Sequence, residues 1–145
     1  MPDFEQLIPE LSQWKTDIGS WINAIGRFDH AIAYGHLFWP EFKIHQECVL
    51  FADCPIESFD HWMKHTGGNL TAVEGVLNHR HILDLFTNSE FKATREVVLH
   101  LGRLLRDIWS CKLTRDFPSQ AIVVSFDEEF FADLVDYQIT FFHKR

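Results

Sequence analysis

The longest amphipathic stretch of this chain runs from Thr87 to Arg115 and predicts one long helix. It opens with a capping box, Thr87-Asn88-Ser89-Glu90, in which a side-chain oxygen accepts a backbone N–H and the glutamate reaches back. Apolar residues then recur every three or four positions, at Phe91, Val97, Val98, Leu101, Leu104, Leu105, Ile108 and Trp109. Lys112 suits the negative end of the helix dipole, and Pro118 prevents continuation. We therefore expect the other elements to pack around this helix.

Composition predicts one globular domain with an aromatic core. The chain has 145 residues, of which 46% are hydrophobic, with 14 Phe and five Trp. Its formal charge of −8 disfavours general binding to nucleic acid or to anionic membranes, because both require a cationic surface. No apolar stretch approaches the roughly 18 residues that a membrane span needs. We therefore expect protein partners, and neither nucleic acid nor membrane.

Cysteine usage favours a reducing compartment. The chain contains three cysteines, Cys48, Cys54 and Cys111, without CxxC spacing. A chain of this length does not need disulfides, so free thiols are predicted. The acidic segment from Met1 to Glu5 does not begin a signal peptide. These features predict a cytoplasmic location.

Two apolar segments precede the middle of the chain. A helical stripe comprises Leu7, Leu11, Trp14, Ile18, Trp21, Ile22 and Ile25. Because Pro9 is tolerated only in a first turn, we predict a helix from near Ile8 that is capped by Gly26. Its apolar face is expected to pack on the core, with a coiled-coil seam as the alternative. Phe28–Phe38 predicts a short buried helix, which Trp39-Pro40 ends.

The middle of the chain predicts one uncertain strand and two helices. Phe42–Phe51 fits neither period cleanly, and we favour a strand at Cys48–Phe51. Asp53-Cys54-Pro55 predicts a helix start, and Gly67-Gly68 closes that helix. A further helix is predicted from Leu70 to Phe86, with a second capping box at its start. It is apolar on several sides, which is typical of a central helix.

The C-terminal region predicts strands. Ala121–Phe126 is β-branched, and Tyr137–Phe142 alternates between apolar and polar residues. A two-stranded hairpin alone is marginal, so it must pack on the helices or gain Cys48–Phe51 as a third strand. The predicted fold is mainly α, of the α+β class, with four to five helices and a small antiparallel β-sheet from the C-terminal strands.

One polar stripe lies on the helix that the sequence predicts to be central. On helical geometry Glu74, Asn78 and His81 share a face, with Arg80 and Asp84 beside them. A buried cluster of titratable groups can mark a ligand pocket. The alternative is an internal hydrogen-bond network, for instance with an Arg80–Asp84 ion pair.

The chain has nine histidines, which raises the possibility of a metal site. His61 and His65 lie four residues apart, so a helix would place both rings on one face. Trp62 stands where a zinc protease has its glutamate. Histidines 79 and 81 would point to different faces of a helix. Two wider sets also offer metal-ligand types: Glu74 and His81 with His61, and His45 with Cys48 and Cys54. Histidines that bind no metal are the alternative to all of these sites.

The long helix also carries a cationic ridge, defined as Lys92, Arg95, Leu99, Arg103 and Arg106. Projected at 100° per residue, its four cations fall within about 80° of one another, opposite the apolar face. The segment 127–136 is acidic and complements the ridge. The ridge is therefore a solvated face, a docking surface for this segment within the chain, or a surface for a partner or second copy.

No motif identifies a reaction or a cofactor. The chain lacks a GxGxxG sequence, a Walker-type loop, an EF-hand loop and a GxSxG sequence. Catalysis is left open, and no cofactor is predicted. The favoured function is a non-catalytic cytoplasmic protein–protein interaction module that self-associates. The alternative is an internal polar, metal or small-molecule site around Glu74, Asn78 and His81.

Overall fold

A computed structural model describes residues 3–87 and 93–145 and has an α+β architecture, as predicted. The helices are α1 (Phe4–Leu7), α2 (Glu10–Trp14), α3 (Ile18–Ile25), α4 (Phe28–Phe38), α5 (Ile56–His65), α6 (Leu70–Leu77) and α7 (Arg95–Asp116). The strands are β1 (Phe42–His45), β2 (Cys48–Phe51), β3 (Arg80–His81), β4 (Ile122–Phe126) and β5 (Gln138–His143). Two 3₁₀ turns cover Leu83–Phe86 and Leu134–Asp136.

The long helix begins later than predicted. Its first residue is Arg95, and the Thr94 hydroxyl caps it by accepting the Val97 N–H. Thr87 lies in a turn, and the remainder of the predicted capping box lies outside the described residues. The inner face is confirmed, since Leu105 and Trp109 are fully buried. The helix ends at Asp116, shortly before Pro118.

The C-terminal strands form the predicted antiparallel pair, with β5 in the centre of the order β3-β5-β4. The third strand is β3, not Cys48–Phe51. Ile139 and Phe141 point from β5 into the core and are fully buried. Helix α7 packs closely on β4, because a Cβ at Gly102 would overlap the Phe126 ring.

Strand β2 is confirmed with its predicted bounds, and it pairs with β1. The connecting residues Gln46 and Glu47 both have positive φ, which suits a two-residue hairpin turn. All four residues of β2 are buried because the strand separates two cores. The main core comprises Val49, Phe51, Ile82, Val98, Leu105, Trp109, Leu113, Phe126, Tyr137, Ile139 and Phe141. The second core comprises Cys48, Leu50, Cys54, Phe59 and Val73.

The predicted helix from Leu70 to Phe86 is wrong beyond Leu77. Asn78 caps α6, and the chain then forms β3 and a 3₁₀ turn. The helix does not continue because residues 80–81 pair with the edge of β5. The predicted cap at its start is also wrong, since the Asn69 side chain accepts the Ala72 N–H. Helix α5 ends as predicted, at two glycines with positive φ.

The N-terminal arm, defined as residues 3–38, departs most from prediction. The helix expected from near Ile8 to Ile25 is two short helices, α2 and α3, and α1 precedes them. Lys15 adopts a left-handed conformation that ends α2, and the Asp17 carboxylate caps α3 by accepting the Ser20 N–H. Gly26 caps α3, as predicted. The bounds of α4 are confirmed, but the expected burial of both segments is wrong, since Leu11 is the only buried residue in α1 to α4.

Candidate functional site

Glu74 is a fully buried carboxylate held by four hydrogen bonds. Its Oε1 accepts the Val49 backbone N–H at 2.8 Å and lies 2.6 Å from His143 Nδ1. Its Oε2 accepts the His143 backbone N–H at 2.9 Å and Arg145 Nη1 at 2.8 Å. The ion pair with Arg145 compensates the cost of burying the charge. This network ties the end of the chain to α6.

Asn78 lies one helical turn after Glu74 and is also fully buried. Its Nδ2 donates to the Val49 carbonyl at 2.8 Å and to the Phe141 carbonyl at 3.1 Å. Glu74 and Asn78 therefore take both backbone groups of Val49, on the edge of β2 that faces away from β1. Two helix side chains thus replace a neighbouring strand.

The remaining members of the predicted polar stripe lie elsewhere. His81 belongs to β3, and its Nδ1 donates to the Val135 carbonyl at 2.7 Å. Asp84 is exposed in the 3₁₀ turn, and the ion pairs of the described residues do not include one between Arg80 and Asp84. Glu74 and Asn78 thus both bind the backbone of Val49. They form an internal hydrogen-bond network, which was the alternative to a ligand pocket.

Arg80 has a different setting from the other members of the stripe. Its guanidinium lies over the Phe51 ring, 4.3 Å from the centroid. Its Nη1 donates to the Leu77 and His79 carbonyls, at 3.4 and 2.8 Å. Burial lowers the pKa of Arg80, because a half-buried cation loses hydration. Arg80 and Asp53 both line two clefts of about 310 Å³ each.

The histidine pairs differ from expectation in one respect. His61 and His65 lie on one face of α5, with ring centroids 4.1 Å apart, and His65 Nδ1 donates to the His61 carbonyl. His79 and His81 do not diverge as on a helix; their ring centroids are 5.3 Å apart. Within residues 3–87 and 93–145, no three His, Cys, Asp or Glu side chains are grouped to hold a metal ion.

The three cysteines are free, as predicted. Burial and the nearby Glu74 charge raise the pKa of Cys48 to about 11, and burial raises the pKa of Cys54. Both thiols therefore stay protonated at neutral pH and pack as small apolar side chains. Cys111 is exposed on α7.

The cationic ridge contacts the acidic segment of its own chain. Glu128 pairs with Arg103 at 2.6 Å and with Arg106 at 2.9 Å. Arg95 lies over the Phe130 ring, 4.1 Å from the centroid. Leu99 is partly buried against the main core, and Lys92 lies outside the described residues. These contacts correspond to the intramolecular docking alternative.

The N-terminal arm exposes a large apolar surface. Phe28 is 93% exposed, Ile32 is 68% exposed and Ile22 is 55% exposed. Its other exposed large apolar residues are Phe4, Trp14, Ile18, Ile25 and Tyr34. An open cleft of about 750 Å³ between α3 and α4 is lined by Ile22, Ile25 and Phe28, among others.

The sequence shows the apolar stripe of this arm, but its helical period predicted a face that packs on the core. One signal pointed the other way. Lys15, Thr16 and Asp17 interrupt the stripe with a charged, cap-forming sequence that breaks the helix into pieces. Short helices that are separated by such breaks do not present one continuous apolar face to a core. The arm therefore contacts the main core chiefly at the end of α4. There Leu37 and Phe38 pack on that core, and the Leu37 carbonyl accepts the Trp109 indole N–H at 3.0 Å.

Within the described residues, no helix is both long and apolar enough to cross a bilayer. Compared with protein-family models, curated proteins and solved structures, the chain has no significant match in any of the three.

Proposed function

We propose that this chain is a non-catalytic protein–protein interaction module that self-associates through its N-terminal arm. The observation that carries the proposal is the exposed apolar surface of the arm, with Phe28 at 93% and Ile32 at 68% exposure. A single exposed apolar residue is ordinary, but a contiguous group of this kind marks an interaction surface. The free thiols of the chain support a cytoplasmic setting.

The charge pattern of the arm favours a second copy as the partner. Helix α3 contains no charged residue, and the only acidic residue of α4, Asp29, pairs with Arg27 at 2.6 Å. Two copies of a chain with charge −8 repel each other, and an uncharged contact surface adds no local like-charge contacts to that repulsion. The α3–α4 surface provides one, and a two-fold axis would bury the same apolar side chains on both copies.

The energetic scale is adequate for a dimer. Burying one large apolar side chain contributes about 1.5–3 kcal/mol. Association costs about 4–15 kcal/mol in lost freedom of motion. Each copy exposes about half or more of several large apolar side chains, among them Trp14, Ile22, Ile25, Phe28 and Ile32. The free energy gained by burying them together exceeds the low end of the association cost.

The alternative of a polar ligand site around Glu74, Asn78 and His81 gains no support. Glu74 makes four internal hydrogen bonds, and Asn78 donates twice to backbone carbonyls. A ligand at this place would have to displace bonds that hold β2 and β5.

The test is the molar mass by size-exclusion chromatography with light scattering, over a wide concentration range. We expect wild type to be a dimer and the double variant Phe28→Asp/Ile32→Asp to be a monomer with unchanged circular dichroism. The matched control is Ile56→Asp, which removes another exposed apolar residue, 52% exposed, at the start of α5. It should keep the wild-type mass.

A second variant separates the arm from the cationic ridge. Arg103→Glu/Arg106→Glu reverses two ridge charges and should disrupt any assembly built on the ridge. An unchanged dimer in this variant assigns the assembly to the arm. A monomeric wild type at every concentration, or a dimer that survives the Phe28/Ile32 change, contradicts the proposal.

A further inference from the structure

Arg80 is a half-buried cation whose charge is only partly compensated. Its guanidinium stacks on Phe51, and two backbone carbonyls accept from Nη1. Among the ion pairs of residues 3–87 and 93–145, none includes Arg80. Charges that lose hydration are normally paired with an opposite charge. The incompletely compensated charge of Arg80 therefore favours the binding of an anion.

The donors that Arg80 leaves unused have a specific geometry. A guanidinium carries five N–H donors, and the two carbonyl bonds both involve Nη1. In the described part of the chain, Nε and Nη2 donate to no acceptor. The Nε–Nη2 edge is the fork that binds a carboxylate or phosphate through two parallel hydrogen bonds.

Two clefts of about 310 Å³ have Arg80 and Asp53 in their walls, a volume at the lower end of small-molecule sites. The first cleft also contains Glu41, so carboxylates outnumber the guanidinium there. The second contains Ser58, Trp62 and His79. His79 Nδ1 donates to the Val76 carbonyl, so Nε2 of the neutral ring is an acceptor and offers an oxyanion no hydrogen bond. The lining of the second cleft includes one carboxylate, Asp53, against two in the first, so an oxyanion is favoured in the second cleft.

We propose that Arg80 anchors a binding site for a small carboxylate- or phosphate-bearing ligand in the cleft between α5 and the end of α6. Arg80 holds the oxyanion through its Nε–Nη2 edge. Ser58 donates its hydroxyl, and Trp62 provides an apolar wall for the remainder of the ligand. The site is independent of self-association, because its residues lie outside the N-terminal arm.

Asp53 sets the affinity of this site. It is close enough to raise the pKa of Arg80, against the larger effect of burial, yet it forms no ion pair with Arg80 among the described residues. Its negative charge opposes an incoming anion. Asp53→Asn should therefore tighten anion binding, by about threefold for a charge several ångströms away in a partly solvated site. An unchanged or weaker affinity in Asp53→Asn would overturn the placement of the anion beside Arg80 and Asp53.

The experiment is an NMR titration that follows the Arg80 Nε–H signal, with inorganic phosphate and succinate as separate probes at constant ionic strength. A saturable shift with phosphate alone assigns a phosphate-bearing ligand, and a saturable shift with succinate alone assigns a carboxylate-bearing ligand. Either outcome supports the proposal. No saturable shift with either probe overturns it. The control Arg115→Gln, an exposed arginine of α7, should bind like wild type.

Two variants keep the test independent of folding. Arg80→Gln should abolish the titration, which is then read from the backbone amides that line the cleft, but it also removes the stacking on Phe51. Ser58→Asp retains Arg80 and places a carboxylate in the cleft, at the third residue of α5, where an acid suits the helix dipole. It should also abolish binding. Wild-type affinity in Ser58→Asp would overturn the proposal, and the mass of either variant should match wild type whether or not the arm self-associates.

Discussion

At the scale of single residues, Glu74 and Asn78 show how helix side chains complete a sheet edge. Both lie on α6 and bind the backbone of Val49, one as acceptor and the other as donor. Their spacing of four residues places them on one face, as the sequence predicted. The sequence could not show that the face meets a strand edge, because that depends on where β2 lies.

We expect Glu74→Gln to lower the free energy of unfolding by about 2–4 kcal/mol. The substitution removes the negative charge that pairs with Arg145. It also replaces one carboxylate oxygen by an NH₂ group, which cannot accept a hydrogen bond from a backbone N–H such as that of Val49. Urea unfolding followed by circular dichroism measures this. The control Glu57→Gln, an exposed acid in the first turn of α5, should change stability by less than about 1 kcal/mol, because it removes only an interaction with the helix dipole. Equal effects of the two substitutions would contradict a structural role for Glu74.

At the scale of elements, the acidic segment 127–136 is held against α7 by a few surface contacts. Glu128 bridges Arg103 and Arg106, and the hydrogen bond from Arg103 is the main cause that lowers the pKa of Glu128. The Tyr137 hydroxyl adds a bond to the Glu129 carbonyl at 3.1 Å. The segment is thereby placed over the ridge that the sequence identified.

The lowered pKa gives this contact a defined pH dependence. A carboxyl that is more acidic folded than unfolded stabilises the fold above the ordinary glutamate range, and that contribution is lost as the pH falls through its folded pKa. We expect Glu128→Gln to destabilise by less than about 1 kcal/mol at neutral pH, because the pair is partly exposed. In urea unfolding, the difference from wild type should shrink in acid.

A double-mutant cycle is the control for this prediction. In an Arg103→Gln background the effect of Glu128→Gln at neutral pH should be smaller, since one partner of the pair is already missing. A difference between Glu128→Gln and wild type that stays constant or grows as the pH falls would contradict the assignment.

At the scale of the whole molecule, β2 divides the interior into two cores, and the N-terminal arm lies largely outside both. Strand β5 lies in the centre of its sheet, with Ile139 and Phe141 fully buried. Elements with few buried contacts open at low free energy, unless a partner covers them. The stability of the arm should therefore depend on association, whereas that of the cores should not.

Hydrogen exchange at two protein concentrations tests this division. Amides of α3 and α4 should be protected when the protein is concentrated and should lose protection on dilution, because a dimer covers them only when it forms. Amides of β5 should be protected at both concentrations. Equal exchange of α3 and α4 at the two concentrations would show that association does not cover the arm.

Local sequence determined those features that depend on neighbours along the chain. The inner face of α7, the bounds of α4 and β2, the caps at Gly26 and Gly67-Gly68, and the antiparallel pairing of the C-terminal strands were all predicted. Each rests on periodicity, capping or turn chemistry within a short window. The α+β class followed from these features.

Tertiary structure decided the rest, because burial depends on which surfaces meet. Residues 80–81 pair with β5 and are not helical as predicted. The sequence of β2 was ambiguous because its alternate side chains enter two different cores. The stripe from Leu7 to Ile25 has the period of a core-facing helix, yet most of it is exposed. Periodicity shows that an apolar face exists, whereas the positions of the other elements determine whether the chain itself covers that face.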